Sequence, residues 1–191
     1  MKESKQKKKT LKKRVLETKI SIPEKVNASI DNSTVSLTGP LGETKRKLAY
    51  PGIITAMKEG NIVISTKKNN AHGKKMVFTF KAHIKNMIVG VIDGYKYSMK
   101  ICSGHFPMTV TVQGSQLVVK NFIGEKTPRS IDIPEGVKVK VEGDKISIES
   151  IDKELAGMTA SRIEEKTKRR AFDPRIFQDG IYIVDKGDKR V

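Results

Sequence analysis

A series of short matches recurs along this chain in the same order, and it constrains the fold more than any other feature. Pro23…Val26 returns 84 residues on as Pro107…Val110. The stretch from Leu37 to Glu43 returns as Val119 to Glu125, with Gly42-Glu43 meeting Gly124-Glu125 at an offset of 82. Ile62-Val63-Ile64 returns as Ile146-Ser147-Ile148, and Gly73 as Gly157, both at 84. Asp93-Gly94 returns as Asp179-Gly180 at 86. Single matches among β-rich segments arise by chance. An ordered series at a nearly constant offset is the mark of a duplicated unit. A chain of 191 residues has room for two small domains.

Local patterning gives each copy the same grammar. From Lys19 apolar residues alternate: Ile20 and Ile22, then Val26, Ala28 and Ile30, then Val35 and Leu37. Asp31-Asn32, Gly39-Pro40-Leu41-Gly42 and Glu59-Gly60-Asn61 read as turns, while Leu48, Ile53-Ile54 and Ile62-Val63-Ile64 read as further strands. After Asn70 the period becomes helical, with Val77, Phe80, Ile84, Met87, Ile88 and Val91 on one stripe up to Asp93-Gly94. In the second copy a shorter, more polar helix is expected over roughly Asp152 to Lys168, with Leu155, Met158 and Ile163 as its apolar positions. Tyr95 to Cys102 alternates like a strand and leaves no flexible linker, so the copies should be held rigidly together. The expected fold is α+β, two tandem copies of a small domain, each a mostly antiparallel sheet packed on one α-helix. The boundaries expected are a basic flexible arm over 1–17, a first repeat over 18–97, a second over 98–187 and a tail over 188–191. Gly73 and Gly157 are expected where their helices approach a neighbour closely, because Gly inside a helix otherwise costs about 1 kcal/mol against Ala.

The charge points to a polyanion. Lys plus Arg number 38 against 21 for Asp plus Glu, a net charge of +17, and the pI is near 9.9. An anionic membrane surface is the weaker partner, since no apolar run approaches the ~20 residues of a span and no apolar leader core follows the N-terminus. One cysteine, Cys102, permits no internal disulfide and fits a reducing compartment. Met1 to Arg14 holds eight cations and one acid, and such a block cannot bury enough surface to fold alone.

Catalytic and metal motifs fail on spacing. Gly39-Pro40-Leu41-Gly42-Glu43-Thr44-Lys45 lacks the spacing of a phosphate loop and is followed by strand signals. His72 and His83 stand about 16 Å apart on one helix and cannot share a metal. With one cysteine no zinc site of the usual spacing can be built, and Cys102 with His105 lacks a third group to complete a nucleophile. No cofactor, small-molecule substrate or active site is expected. Aromatics make up only 5% with no Trp, too few for base-stacking platforms, so folded RNA read through phosphates and shape is the better partner.

The most informative stretch for binding begins at Lys166. Lys166, Lys168, Arg169, Arg170 and Arg175 face a single acid, Asp173, between a helix end and Pro174. Asp179-Gly180 reads as a turn and Ile181-Tyr182-Ile183-Val184 as a strand. Basic residues suit any last helical turn, but here they fall on a loop clamped between helix and strand, which presents fixed charge to a polyanion. Lys126, Arg129 and Lys186 are added as further expected contacts, and the N-terminal arm as diffuse attraction.

Several motifs resemble one family. Ile22-Pro23-Glu24-Lys25-Val26 with Gly39-Pro40-Leu41-Gly42, Asn86 to Val91 with Gly94 to Met99, His105-Phe106-Pro107, Asn121 to Lys126 and, above all, Arg175 to Ile183 are similar to the universal large-subunit ribosomal protein six family, called protein nine in eukaryotic numbering, in its archaeal and eukaryotic branch. The resemblance implies a structural, non-enzymatic protein of the large ribosomal subunit that contacts rRNA near the sarcin–ricin region, mainly through its second domain. It also implies one copy per ribosome beside neighbouring ribosomal proteins, in the cytoplasm, with nucleolar assembly if the source is eukaryotic. The competing readings are a free-standing architectural nucleic-acid binder and, behind it, an enzyme acting on nucleic acid.

Overall fold

Short alternating segments joined by tight turns build most of the described residues, and among these two α-helices cover the faces the strands leave apolar. The computed structural model describes residues 16–58, 60–66, 70–169, 173 and 175–187. Met1 to Arg14, Arg170 and the tail 188–191 lie outside the described residues. In the first unit, β1 (Leu16–Ser21), β2 (Asn27–Asp31), β3 (Thr34–Gly39), β4 (Gly42–Lys47), β5 (Ile53–Lys58) and β6 (Asn61–Thr66) precede α1 (Ala71–Ile92). The strands divide between two antiparallel sheets, ordered β1-β6-β5 and β2-β3-β4. The β2–β3 hairpin turns on Asn32 and Ser33, both at positive φ, as a two-residue loop matched to strand twist requires.

α1 starts at Asn70, whose side chain accepts from the Gly73 N–H at 2.7 Å. Its stripe of Val77, Phe80, Ile84, Met87, Ile88 and Val91 is buried against Ile20, Val35, Leu37, Ile62 and Ile64. That is the stripe expected from the helical period.

The second unit repeats the plan. β7 (Tyr95–Cys102), β8 (Thr109–Gln113), β9 (Gln116–Lys120), β10 (Arg129–Asp132), β11 (Val137–Glu142) and β12 (Lys145–Ser150) lead to α2 (Lys153–Lys166). The orders β7-β12-β11 and β8-β9-β10 reproduce those of the first unit strand for strand. An additional strand, β13 (Gly180–Asp185), pairs antiparallel with β7 on the edge that β12 leaves free. The duplication and the α+β class therefore stand as expected, with each copy's strands split over two sheets.

Four expectations change in detail. The boundary at 97/98 falls inside β7, which pairs along its whole length with β12 and β13, so Tyr95 to Tyr97 go with the second sheet. Leu16 and Glu17, placed in the arm from the sequence, pair with Thr66 and Ser65 in β1. The strand signalled by Leu48 is β4, which ends at Lys47. It has no apolar residue of its own and is held at a sheet edge by its backbone bonds to β3. On α2 the buried face is Ala156, Thr159, Ala160 and Ile163, whereas Met158 is exposed and Leu155 half-buried. Small residues let this helix lie close to its sheet: a Cβ on Gly157 would stand 3.2 Å from the Tyr97 hydroxyl. Gly73 is buried in the capped first turn of α1.

The units meet along one side of α1. A Cβ on Gly90 would stand 2.1 Å from the Ile151 carbonyl oxygen, so helix and loop backbones touch. Tyr95 donates its hydroxyl to the Asn86 carbonyl at 3.0 Å. Arg46 pairs with Glu154 at 2.7 Å, and His83 approaches the same carboxylate at 3.6 Å.

Candidate nucleic-acid interface

The cationic segment leaves α2 through a buried joint. Thr167 caps the helix, is 1% exposed, and donates its hydroxyl to the Ile163 carbonyl at 2.9 Å. The same oxygen accepts the Ile181 N–H at 3.1 Å. One side chain thereby ties the end of α2 to the start of β13, and the loop between them begins and ends at fixed points.

Its far end is tied by Asp179. No turn forms at Asp179-Gly180; the chain runs directly into β13. The carboxylate is 3% exposed, and one oxygen accepts the backbone N–H groups of Gly104 and His105 at 2.7 and 3.0 Å. The other oxygen lies 2.6 Å from His105 Nδ1. Burial alone pushes this carboxyl up, but the N–H donors of His105 and Gly104 and the His105 ring outweigh it, leaving it below its ordinary 3.8. The Phe177 ring lies 5.0 Å from the His105 ring, and the Arg169 guanidinium stands 4.7 Å over the Phe177 ring. Within the loop, Asp173 makes a short turn, accepting from the Arg175 N–H at 2.9 Å and from Phe177 N–H at 3.0 Å.

Beside the helix end, residues Phe122–Gly124 form a single 3₁₀ turn entered through Asn121 at φ 57, with Ile123 at φ 52. A β-branched residue in the left-handed region stores strain of about 1–3 kcal/mol. The Asn121 amide donates to the Pro107 carbonyl at 2.9 Å and helps hold the turn. Arg129 lies over the buried Phe122 ring at 4.1 Å, forks onto both oxygens of Glu125, and donates to the Lys166 carbonyl. The fork holds the Glu125 carboxyl below the usual carboxylate range.

The structure brings part of the expected set together. Lys166, Lys168, Arg169 and Arg129 line one concavity with Phe122, Ile123, Glu125 and Glu165. Lys166, Lys168 and Arg175 are exposed. Arg129 differs from them: three of its N–H donors go to Glu125 and the Lys166 carbonyl, so it braces the helix end. Lys126 is exposed on the turn after Glu125 and does not line the concavity. Lys186 follows the opposite end of β13, a strand of six residues, roughly 20 Å away at about 3.3 Å per residue. Arg170 lies outside the described residues. From the sequence His105, Phe122 and Phe177 carry no such role, and Asp179 enters only as part of a turn flanking the cluster. The His105–Asp179 contact spans 74 residues, and only the adjacency of both to recurring motifs hinted at it.

Among the described residues no group of three His, Cys, Asp or Glu could hold a metal, and no helix is long and apolar enough to cross a membrane. His72 lies against Tyr50 and His83 against Glu154, at separate places. Cys102 pairs with Gly180 across β7 and β13 and is half-buried.

Comparison with known proteins bears on what this surface is for. The family model described as Ribosomal protein L6 matches residues 22–94 and again 106–180, one match to each unit. The large ribosomal subunit protein uL6 of Methanosarcina mazei is 47% identical over 167 residues, covering 87% of this chain and 95% of that protein. That of Methanobrevibacter smithii is 46% identical over 87% of this chain and 94% of its own length. That of Natronomonas pharaonis is 39% identical over 91% and 98%. With both halves matched and nearly the full length of three archaeal relatives covered, the chain belongs to the ribosomal protein L6 family, structural and non-enzymatic, in its archaeal branch.

Proposed function

We propose that this chain, a structural component of the large ribosomal subunit, binds folded rRNA mainly through its second unit, with the loop from Lys166 to Arg175 as the principal contact. The observation that carries the proposal is the double anchoring of that loop. Thr167 fixes one end to Ile181, and Asp179 fixes the other to Gly104 and His105. Placing a free segment costs about 1–2 kcal/mol for each residue ordered, and a loop already anchored at both ends avoids much of that on binding. Arg129 adds to the same end by bracing α2 from its last carbonyl-bearing turn. A position near the sarcin–ricin region rests on the resemblance of Arg175 to Ile183 to the family signature. One copy per ribosome, in the cytoplasm and beside other ribosomal proteins, is the setting this role requires.

Filter binding to the purified large-subunit rRNA across a salt series tests it. Each phosphate-neutralising cation adds about 0.9 to the slope of log affinity against log salt. Lys168→Ala with Arg175→Ala should flatten that slope by about two and weaken incorporation into subunits sedimented after a moderate salt wash. An unchanged slope would remove the loop from the interface.

A further inference from the structure

The two helices are copies, yet their charges are arranged in opposite senses. α2 has Glu154 in its first turn and Lys166 in its last, as the helix dipole favours. α1 has no acid in its first turn and no base in its last. Over its 22 residues it has no Asp or Glu at all, and Lys74 and Lys75 fall near its positive end. Lys81 and Lys85 stand one turn apart, a like-charge spacing that costs an isolated helix about 0.2–0.5 kcal/mol. None of these four lysines forms an ion pair among the described residues. Lys74, Phe78, Lys81, Lys85 and Val89 recur at helical spacing along one side of α1, all exposed except the half-buried Lys81. Phe78 is 55% exposed between the lysines.

We infer that this outer face of α1 is a second RNA-binding surface, in the first unit, that takes the phosphate backbone of an RNA segment distinct from the one met by the second unit. A helix that keeps cations where its own dipole and its neighbours oppose them is tuned to something outside the helix. Of the two macromolecules that would welcome positive charge, RNA fits better than an acidic protein. Protein interfaces are depleted in Lys and centre on a contiguous apolar core, whereas Phe78 and Val89 are separated along the helix by about 16 Å with lysines between them. An exposed aromatic among cations suits an unpaired base. The location also differs from the loop's. α1 meets α2 near Glu154, at the N-terminal end of α2, and the 14 residues of α2 put Lys166 about 20 Å further on. Both surfaces occupied at once would make the chain a brace between two RNA segments.

The test uses the full chain with Lys74→Gln, Lys81→Gln and Lys85→Gln combined. Removing charges that repel one another leaves the melting temperature unchanged or raises it, so folding is not in question. The salt slope for binding to large-subunit rRNA should fall by about 2.7, beyond and independent of the loss from Lys168→Ala with Arg175→Ala. If only the loop variant changes the slope, this inference fails and the loop reading survives; if only the α1 variant does, the reverse holds. A photo-cross-linking residue in place of Phe78, in assembled subunits, should attach to rRNA at a segment the second unit does not protect. Cross-links to a neighbouring protein instead overturn the assignment.

Discussion

Gly90→Ala should separate the two units even though alanine is the better helix former. Gly90 is buried near the end of α1, where the helix presses on the loop that leads into α2. An added Cβ would stand 2.1 Å from the Ile151 carbonyl oxygen, 3.2 Å from its carbon and 3.3 Å from Tyr95 Cε2. An ordinary carbon–oxygen contact is about 1 Å longer than the first of these, and the obstacle is backbone, so no rotamer change relieves it. Overpacking of this kind costs about 1–3 kcal/mol, occasionally more, against a propensity gain of about 1 kcal/mol. Because the overlap is with backbone the upper end applies, and the net loss should be about 2 kcal/mol. For a chain of this size that lowers the melting temperature by about 4–8 °C. Val89→Ala, one residue away and exposed, is the control and should stay within about 0.5 kcal/mol of the parent. Calorimetry of both variants decides the matter. A Gly90→Ala protein as stable as the Val89→Ala control would mean that α1 and the Ile151 loop are not in contact in solution.

Other outcomes follow from the loop anchors. Thr167→Val removes the hydroxyl that accepts from the buried Ile181 N–H, so unfolding in urea should show a loss of about 1–3 kcal/mol. Asp179 has a depressed folded value, so its contribution is fully present above about pH 4 and is lost as pH falls through that value. The stability gap between parent and Asp179→Asn should therefore be flat from neutral pH down to about 4 and narrow below it; a gap that widens in acid would contradict the anchoring role. Arg129→Lys keeps the charge but cannot fork onto Glu125 while reaching the Lys166 carbonyl. Affinity for rRNA should drop about fivefold, roughly 1 kcal/mol, with the salt slope unchanged, whereas a direct phosphate ligand would tolerate the exchange.

What was legible in the sequence is what depends on neighbours in the chain. The α1 stripe from Val77 to Val91, the Asn70 start and the turn before β3 follow from periodicity and turn chemistry, which act over a few residues. The duplication was readable because copies of one fold keep the spacing of their turns and apolar positions. The cationic cluster from Lys166 to Arg175 was readable as composition. Partners chosen across long separations were not. Nothing in Tyr95 to Cys102 says whether that strand closes the first sheet or opens the second; its pairing with β12 and β13 settles that, because each edge of a strand needs a partner far along the chain. The α2 face of Ala156, Thr159 and Ala160 was hidden because small residues mark close approach only when the surface they approach is known. Arg129 looks like any other surface cation until Glu125, Phe122 and the Lys166 carbonyl are placed around it. Asp179 and His105 meet across 74 residues, and only folding brings a buried carboxylate to the N–H groups that keep it charged. Charge and periodicity are properties of the chain, whereas which charges remain free to meet a partner is decided by tertiary contacts.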